Sequence, residues 1–465
     1  YPLYHVKDQL FDLNNDPYEE VNLFDTQFET ATELRNTLRT ELLTFFGRPY
    51  QEFTDTSVDL TVTTENTSIL GKVLAGYQGW FNAEGDGSGL KWKHYSNKEG
   101  FKPGSTSNDF WPDVSELQNN QKYKTLFNHK NGKPAYVYSA ADEKTVNLHF
   151  KWMKDYDIDG VFAQRFVVGL TRGQKRIDNY NKVFDNCFKA AKKNGRVLSL
   201  MYDLTGTDAT NVVETTKEDW KQLVRKHKLN DPTNPNVLTY KGKAVVSIWG
   251  VGFMNRKYTL ENIRELINFF KNDPKYGNCV VLLGVPTGWR TLDRDTAKDP
   301  ELHEVIKMAD IVHPWTVGRY DNLETADQHQ ENYTIKDQKW CDANDLLYMP
   351  VVFPGFSWHN MRNGNDKFNK IPRLKGDFLW RQFYNTISSD VKTIYVAMFD
   401  EMDEATCIFK IDSNPPEGGK SKFLTYEGLP SDYYLWLTGR AGKMLRKEIP
   451  MTKLIPSYSI KVNEK

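Results

Sequence analysis

The sequence is poor in cysteine and has no long hydrophobic run. Its 465 residues include four cysteines, Cys187, Cys279, Cys341 and Cys407, which are widely scattered and show no metal-ligand spacing. Cys187 and Cys279 lie inside apolar periodic runs, so we predict small buried side chains rather than a disulfide framework. No apolar stretch approaches the roughly 20 residues of a membrane-spanning helix.

The chain also lacks net charge and a glycine-rich phosphate loop. Lys plus Arg and Asp plus Glu number 61 each, so no overall field attracts nucleic acid or an anionic membrane. Any anionic ligand would have to be held by local arginines. The absence of a glycine-rich loop after the first predicted strand counts against a dinucleotide-binding sheet.

Composition divides the chain into four parts. Residues 1–53 predict a small α+β appendage, and residues 54–69, rich in Thr and Ser, predict a linker. Residues 70–448 form the main predicted domain, and residues 449–465 are interpreted as a surface tail. Because the chain begins with Tyr1 rather than Met, we expect a processed or excised piece, so the missing signal peptide says nothing about export.

The main domain alternates short apolar segments with amphipathic helical ones such as TLENIRELINFF. Near-continuous apolar runs are typical of parallel strands buried on both faces. Eight such strands predict an α/β fold, a (β/α)8 TIM barrel with a small N-terminal α+β appendage. An open doubly wound sheet is the alternative. The predicted strands are KVLAGYQ, IDGVFAQRF, RVLSLMYD, AVVSIWG, CVVLLGV, ADIVHPW, LLYMPVVF and KTIYVAMFD.

A (β/α)8 barrel places its active site at the carboxyl ends of the strands. Polar groups and aromatic rings occur at nearly every strand end of this sequence. Flat rings pack on sugar C–H faces, so the composition predicts a sugar-binding cleft. The substrate-binding candidates are Tyr77, Trp80, Trp111, Gln164, Arg165, Tyr202, Asp203, Trp249, Trp289, Arg290, His313, Trp315, Trp358, His359 and Asp403.

The segment FDEMDEAT, residues 399–406, places four acids in five positions after the last predicted strand. A solvated turn or a helix N-terminus is one interpretation. Alternatively, Glu401 and Glu404 project into one cleft, since glycoside hydrolysis usually needs two carboxyls roughly 5 to 9 Å apart. Crowded like charges raise at least one pKa, which keeps a carboxylic acid protonated near neutral pH. We predict Glu401 and Glu404 as the catalytic carboxyls.

Several other residues have two interpretations. Arg165 and Arg290 either orient the glutamates through ion pairs or bind an anionic substituent such as a sulfate or a uronate. His313 is either a substrate ligand or a hydrogen-bonded structural histidine. The segment NAEGDGSGLKWK partly matches a calcium loop, but Lys93 occupies its twelfth position, so we interpret it as a loop lining the cleft. The histidines are too dispersed to predict a metal site.

The predicted barrel resembles the glycoside hydrolase family 71/99-like proteins of polysaccharide-degrading bacteria. The likeness is carried, in chain order, by VLAGYQGWFNAEGDGSG, NDFWPDVSEL, DIDGVFAQRF, MYDLTG, MFDEMDEATCIFK and LPSDYYLWLTGRAGKML. Family 99 contains (β/α)8 endo-α-mannosidases and endo-α-mannanases with the motif Asn-Glu-Trp-His-Glu-Gly-Thr. Residues 400–406 here read Asp-Glu-Met-Asp-Glu-Ala-Thr, so both glutamates and Thr406 match.

This resemblance implies a two-glutamate mechanism. Glu401 would deprotonate the sugar 2-hydroxyl, which attacks the anomeric carbon to give an anhydro-sugar, and Glu404 would act as general acid and then as base. Asp400, Met402, Asp403 and Ala405 depart from the family motif, and the first strand reads GYQGWF where the family tends to have GYYPWY. Because of these departures, the resemblance does not identify the sugar in the substrate.

The segment LFDLNNDPYEEVNL, residues 10–23, is similar to the carboxy-terminal subdomain of type I sulfatases, whose strand reads LYDLxxDPxExxNL. The sulfatase nucleophile motif Cys-x-Pro-x-Arg is absent, so no sulfatase activity is expected from this chain. The resemblance implies a multimodular protein in which a sulfatase module precedes a glycosidase, and it implies a sulfated substrate.

The sequence therefore predicts a bacterial glycoside hydrolase, secreted or periplasmic by resemblance, that acts in polysaccharide degradation without a metal or other cofactor. Its expected partner is an algal or microbial polysaccharide or its oligosaccharides, with no nucleic acid and no membrane span. One alternative is a non-catalytic carbohydrate-binding barrel attached to a sulfatase. Another is an exo-acting or α-1,3-glucanase-type glycosidase.

Overall fold

A computed structural model describes residues 67–458, together with four helical positions in the N-terminal part, at residues 30, 33, 34 and 37. The chain divides into two units, residues 1–61 and residues 62–465. The predicted sulfatase-like appendage of residues 1–53 lies outside the described residues except for those four positions, as does most of the predicted linker. The predicted tail is described as far as residue 458 and contains no helix or strand there.

Parallel strands form a curled sheet that follows the predicted strands in order. The barrel strands are β1 (Val73–Tyr77), β4 (Gly160–Phe166), β5 (Val197–Asp203), β7 (Lys243–Trp249), β8 (Val280–Pro286), β9 (Ile311–Trp315), β10 (Leu347–Tyr348), β11 (Val351–Val352) and β12 (Ile394–Val396). Neighbours pair in the order β10–β9–β8–β7–β5–β4–β1–β12–β11.

The seventh barrel strand is split, and its two halves join the ends of the sheet. β10 pairs with β9, whereas β11 pairs with β12. Between the halves, the Met349 amide donates to the Val312 carbonyl, and the Tyr395 amide donates to the Pro350 carbonyl. Pro350 has no N–H to continue the ladder, which explains the interruption. The predicted (β/α)8 barrel is confirmed, and the open doubly wound sheet is wrong.

Helices follow most of the strands and cover the outside of the sheet. Gly195, with φ of +61°, follows the helix Gln174–Asn194 in the left-handed conformation expected after a last helical turn. None of the helices in residues 67–458 has the length and apolar character needed to cross a membrane. The helices are α1 (Glu143–Asp155), α2 (Val167–Leu170), α3 (Gln174–Asn194), α4 (Val212–His227), α5 (Leu260–Asn272), α6 (Glu301–Lys307), α7 (Leu323–His329), α8 (Ile335–Ala343), α9 (Asp377–Ser388) and α10 (Tyr433–Leu445).

The core has two parts because successive strand residues point to opposite faces. Leu74, Phe162 and Met201 belong to a cluster of strand side chains inside the barrel. Their strand neighbours Ala75 and Val161 pack with the helices in the larger outer cluster. The four cysteines are buried and unbridged, as predicted.

Two long connections cover the carboxyl ends of the strands. The first, residues 78–142, contains an antiparallel ribbon of β2 (Tyr123–Asn128) and β3 (Pro134–Val137). The second, residues 397–432, follows β12. Backbone hydrogen bonds join the two, among them one from the Asp412 amide to the Trp111 carbonyl over 2.8 Å. The ribbon and the short β6 (Thr239–Tyr240), which pairs antiparallel with β7, were not predicted.

Candidate active site

The acidic segment after β12 is buried. Asp400 is 0% exposed, Glu401 is 3% exposed and Asp403 is 2% exposed, so the solvated turn considered from the sequence is wrong. Ala405 adopts a left-handed φ of +55°, which turns the chain back on itself. The Thr406 amide then donates to the Glu401 carbonyl over 3.1 Å. The segment is therefore a closed loop that presents several carboxyls at the top of the barrel.

Asp400 fastens this loop to the end of the first strand. Its two carboxyl oxygens accept the backbone amides of Gln78 and Gly79, over 2.7 Å and 2.8 Å. Gly79 has φ of +57°, and a Cβ at this position would lie 2.6 Å from Val183, so the close approach requires glycine. Asp400 thereby links the first and last strands of the barrel and acts as a structural anchor.

Glu401 is held by hydrogen bonds to both of its carboxyl oxygens. The Gln78 side-chain amide donates to Oε1 over 2.8 Å, and the Thr406 hydroxyl donates to Oε2 over 2.8 Å. Glu401 forms no ion pair with any residue of the described part of the chain. Its carboxyl is therefore fixed in position by neutral donors rather than neutralised by a cation.

Asp403 is paired with His94 from the first long connection. His94 Nδ1 lies 3.0 Å from Asp403 Oδ2. Burial, with the positive charges of Lys93 and Arg176, lowers the pKa of His94 well below its usual value. The His94 ring stacks on Trp80 with centroids 4.0 Å apart and planes 4° from parallel. This pair forms one aromatic wall beside the acids.

Burial raises the pKa of every carboxyl in the segment. The pKa of Asp400 and of Asp403 rises to about 7, and that of Glu404 rises to about 8, where the charge of Asp403 adds to burial. Burial, with the charges of Glu404 and Asp403, raises the pKa of Glu401 well above its usual value. Four acidic residues occupy five consecutive positions, three of them buried and Glu404 half-buried, so their carboxyls cannot all be ionised near neutral pH. The cluster therefore holds at least one proton when the protein is at pH 7.

Other predicted residues lie around the acids at the strand ends. Gln164 donates to the Tyr395 hydroxyl over 2.9 Å, and burial, with the charge of Glu401, raises the pKa of Tyr395 well above its usual value. Burial raises the pKa of Asp203 to about 6. The Trp358 indole nitrogen is buried and has no hydrogen-bond partner in the described part of the chain. It lies near enough to Glu404 to oppose part of the rise in the pKa of Glu404 that burial causes.

Two further tryptophans form a second aromatic pair, since Trp249 and Trp315 meet edge to face with centroids 5.4 Å apart. His359 belongs to the loop that follows β11, and its ring Nδ1 lies 2.8 Å from the Asp366 carbonyl. Its backbone amide donates to Asp109 over 2.9 Å. The loop that carries Trp358 and His359 is thus tied to the first long connection.

Three predicted polar residues point away from the cleft. Arg165 is 2% exposed and binds Asp219 of α4 through Nε over 2.7 Å, and the Tyr202 hydroxyl donates to the same carboxylate over 2.8 Å. Arg290 donates to Asp337 of α8 over 2.7 Å. Both interpretations of the two arginines are therefore wrong, because their charges are neutralised behind the sheet. Tyr202 has the same structural role.

Three predicted aromatic residues also belong to the core. The Tyr77 hydroxyl is 2.9 Å from His149 Nδ1. The Trp111 indole donates to the Tyr136 carbonyl over 3.0 Å, and its ring stacks on Phe101. Trp289 is fully buried and packs edge-on against another tryptophan of α8. Their assignment to substrate binding is corrected by this burial.

His313 lies inside the barrel. It is 0% exposed, and its Nδ1 is 3.1 Å from the Met349 carbonyl. Its ring is 4.5 Å from that of Tyr395, and burial lowers its pKa to about 4. The structural interpretation of this neutral histidine is favoured over that of a substrate ligand.

Four residues that build the site were not among the predicted catalytic and substrate-binding residues, namely Gln78, His94, Asp400 and Thr406. Gln78 and Asp400 lie at predicted strand ends and Thr406 matches the family motif, so the sequence marks these three positions without giving them a role. His94 lies in the middle of a 65-residue connection, residues 78–142, where no spacing or periodicity marks it.

In the segment that partly matches a calcium loop, protein groups donate hydrogen bonds to the Asp86 carboxylate. Asp86 accepts hydrogen bonds from Asn82 Nδ2 and from the hydroxyls of Ser88 and Ser139, so its carboxylate is not directed at a metal. In residues 67–458, no group of three or more His, Cys, Asp or Glu side chains is placed to hold a metal ion.

No family model and no curated protein matches the sequence. Solved structures, in contrast, match the fold of the chain. Two structures of the GH99 endo-α-mannosidase from Bacteroides thetaiotaomicron, one of them in complex with Bis-Tris-propane, superpose with a TM-score of 0.58 at 16% identity, over 81% of this chain and 98% of theirs. At that identity the likeness establishes the fold. The chain therefore has the (β/α)8 architecture of that glycoside hydrolase.

Proposed function

We propose that the protein is a glycoside hydrolase that cleaves O-glycosidic bonds in a polysaccharide or its oligosaccharides, with Glu401 and Glu404 as the catalytic carboxyls. One observation carries the proposal. A buried cluster of carboxyls lies at the carboxyl end of the last barrel strand, and Glu401 in it is fixed by Gln78 and Thr406 without a neutralising cation. The shared architecture with a GH99 endo-α-mannosidase supports it.

Hydrogen bonding divides the roles of the two glutamates. Glu401 receives two donors, which stabilise its carboxylate against burial. Burial raises the pKa of both glutamates, that of Glu404 to about 8 and that of Glu401 well above its usual value, so the pKa shifts alone do not separate them. We assign the negative charge to Glu401, because it accepts two hydrogen bonds from neutral donors, and the proton to Glu404, because the match of residues 400–406 to the family motif gives it the acid role. A half-buried carboxyl with a raised pKa is suited to protonate a leaving oxygen.

The proposed reaction needs only these two carboxyls and one water molecule to move its protons. Glu401 accepts the proton of the sugar 2-hydroxyl, whose oxygen attacks the anomeric carbon while Glu404 donates its proton to the departing oxygen. Glu404, now ionised, takes a proton from water, which opens the anhydro-sugar at the anomeric carbon. Glu401 returns its proton to the 2-oxygen. Both glutamates end in their starting states.

Aromatic rings on both sides of the acids would hold the sugars. The stacked Trp80 and His94 lie beside Asp403, and Trp358 lies beside Glu404. Flat apolar faces next to a polar cluster suit sugar rings, which present C–H faces and hydroxyl edges. We propose Trp249 and Trp315 as a more distant platform on the same rim.

The finer identity of the substrate rests on the sequence. The sulfatase-like residues 10–23 support a sulfated algal or microbial polysaccharide and an exported multimodular protein with a sulfatase module. Product sizes distinguish internal cleavage, which releases oligosaccharides first, from exo action.

Hydrolysis is tested by incubating the protein with sulfated and unsulfated algal polysaccharides and yeast mannan, and by measuring new reducing ends and product sizes. Glu401→Gln and Glu404→Gln should each lose about two to four decades of rate. Glu331→Gln, an exposed position outside the site, is the matched control. Retained polymer without new reducing ends would identify a binding module, and full activity of Glu404→Gln would overturn the assignment.

An activated aryl glycoside of a released oligosaccharide separates the two roles. Such a leaving group departs without protonation, so Glu404→Gln should keep far more of kcat/KM, which reports the first step, than Glu401→Gln does. Its kcat should stay low, because water then lacks a base in the second step. Equal losses for both variants would contradict the division of roles.

A further inference from the structure

The imidazole ring of His94 is held in one orientation by three contacts. Its Nδ1 lies 3.0 Å from Asp403 Oδ2, and one face of the ring lies parallel to Trp80, with centroids 4.0 Å apart. The ring of Phe81 meets it edge to face at 6.0 Å. The His94 backbone also adopts a left-handed φ of +62°, which is uncommon for a residue other than glycine. Unfavourable backbone conformations that are held by their surroundings are typical of functional sites.

The Asp403 carboxyl ties this ring to the loop that carries the two proposed catalytic glutamates. Oδ2 of Asp403 makes the contact with His94, whereas its Oδ1 is buried and has no hydrogen-bond partner in residues 67–458. Asp403 lies between Glu401 and Glu404 in the sequence. The position of the imidazole is therefore set relative to both glutamates by one short contact.

The His94 ring is the part of this pair that a ligand can reach. The His94 side chain is 27% exposed, whereas the Asp403 side chain is 3% exposed. Asp403 covers the ring edge that carries Nδ1, and Trp80 covers one face. The other ring nitrogen, Nε2, has no hydrogen-bond partner in the described part of the chain. An oriented and accessible nitrogen thus lies beside the acids, and a group oriented before binding loses little freedom when a ligand arrives.

The chemistry of this nitrogen suits a hydroxyl group. Burial, with the charges of Lys93 and Arg176, lowers the pKa of His94, so the ring is neutral near neutral pH. A neutral imidazole nitrogen donates or accepts one hydrogen bond, depending on the tautomer, and a sugar hydroxyl can do either. An anionic substituent would instead approach the buried carboxyls of residues 400–404 without a positive charge on the ring to offset their repulsion.

We propose that His94 recognises, through Nε2, a free hydroxyl group of the sugar bound at the two glutamates, with Asp403 as its positioning residue. That this hydroxyl belongs to a sugar at the hydrolysed bond rests on the proposed function. A site that hydrogen-bonds a substrate hydroxyl discriminates against a sugar in which that hydroxyl is missing or substituted, because the polar partner is then left unpaired. His94 is therefore a specificity-determining residue.

The first test is chemical modification of the intact chain carrying Glu404→Gln, so that polymers are not degraded during the measurement. Diethyl pyrocarbonate acylates neutral, accessible imidazoles, and mass spectrometry of peptides reports each histidine separately. The polymers are yeast mannan, fucoidan and carrageenan, the last two also after chemical desulfation. With a polymer at about ten times its dissociation constant, modification of His94 should slow about ten-fold, because only unoccupied protein reacts.

His129 is the matched control for this measurement. It lies in the turn between β2 and β3, and its Nδ1 is 3.0 Å from the Asn414 carbonyl. Like His94, it has one ring nitrogen in contact with the protein. It lies outside the proposed site, so its rate of modification should be the same with and without each polymer.

Variants of His94 separate hydrogen bonding from ring packing. His94→Phe keeps a flat ring on Trp80 but lacks Nε2, so affinity for the protecting polymer should fall about ten-fold. His94→Gln places an amide nitrogen near the position of Nε2 and should recover part of that loss. Partial O-methylation of the polymer masks hydroxyls, and it should weaken binding to the chain with Glu404→Gln alone more than binding to the chain that also carries His94→Phe.

Asp403→Leu tests the positioning role, with circular dichroism as a folding check. The variant removes the oxygen that holds Nδ1, so polymer affinity should fall when His94 is present. Because Asp403 acts through His94, the combination with His94→Phe should bind no more weakly than His94→Phe alone. Additive losses would contradict the positioning role.

Two outcomes would overturn the proposal: His94 reacts equally with and without every polymer, or His94→Phe binds the protecting polymer as tightly as the chain with Glu404→Gln alone. The proposed function fails separately. If a polymer protects His94 but the protein without Glu404→Gln releases no reducing ends from it, recognition by His94 stands and the hydrolase assignment falls. Released reducing ends with an unprotected His94 would give the reverse.

Discussion

The side-chain amide of Gln78 donates to Glu401 Oε1 over 2.8 Å, while the backbone amide of the same residue donates to Asp400 over 2.7 Å. One residue at the end of the first strand thus holds two consecutive acids at the end of the last strand. Because β1 and β12 pair in register from Val73 with Ile394 onward, the sheet itself sets the position of the proposed catalytic base.

Gln78→Ala tests that relationship. Removing the amide takes one of two donors from Glu401, so the pKa of Glu401 should rise further and less carboxylate should be present at neutral pH. We expect kcat/KM to fall about 10- to 100-fold and the acidic limb of its pH profile to move to higher pH. Gln328→Ala, on the exposed face of α7, should change neither. An unmoved acidic limb would mean that Gln78 does not act through Glu401.

Asp400 predicts how stability depends on pH. Burial raises its pKa from 3.8 to about 7, so the folded state holds a proton that the unfolded chain releases near pH 4. The resulting stabilisation is complete below pH 4 and is lost as the pH rises through 7, by at most about 1.4 kcal/mol per pH unit. Asp400→Asn cannot titrate, so its stability should fall less steeply over this range. Urea unfolding at a series of pH values measures both slopes, and parallel slopes would contradict the raised pKa.

The barrel could be predicted because its strands are buried on both faces and therefore read as continuous apolar runs. The same continuity hid which side chains enter the cleft. Gln164 and Arg165 are consecutive, so one points to Tyr395 at the top of the barrel and the other to Asp219 behind the sheet. Alternating polar and apolar residues would have shown which side chains face inward and which face outward. A parallel barrel strand is apolar on both faces and lacks that alternation.

Loop residues were also hard to assign to the site from the sequence. Trp111 is as aromatic as Trp80, yet one is sealed between two connections and the other stacks on His94 in the site. Their environments differ because of the antiparallel ribbon and the hydrogen bonds between the two long connections. These are tertiary contacts, which the local sequence does not show. The glutamates were predictable because they follow a strand directly, whereas His94 was not.

Trp80→Ala tests the aromatic wall. The variant removes both the platform and the ring on which His94 stacks, so substrate affinity should fall about three- to ten-fold through lost ring contacts. Trp80→Phe keeps a flat ring and should recover most of that affinity. KM and kcat for the best polysaccharide, with circular dichroism as a folding check, give the measurement. Equal KM for Trp80→Ala and the unaltered protein would place the sugar elsewhere.

Arg373 supports the loop of residues 399–406 by hydrogen bonds to its backbone and to the residue that follows it. Its Nη2 donates to the carbonyls of Ala405 and Cys407 over 2.9 Å and 2.7 Å, and its guanidinium lies 4.6 to 4.9 Å from the ring centroids of Phe110, Tyr426 and Tyr434. Arg373 is 3% exposed. The turn that returns from Glu404 to Thr406 therefore rests on one buried cation enclosed by aromatic rings.

Arg373→Met should lower the free energy of unfolding by about 2 to 4 kcal/mol, because two buried carbonyls lose a charged donor. The loop would also lose its support, so kcat should fall more than KM changes. Arg373→Lys supplies a charge without the planar fork that reaches both carbonyls, and it should recover only part of the stability and rate. Arg225→Met, which removes an exposed arginine of α4, controls for loss of charge. If Arg373→Met unfolds at the same urea concentration as the unaltered protein, the loop is held by its own backbone bonds and by Asp400 alone.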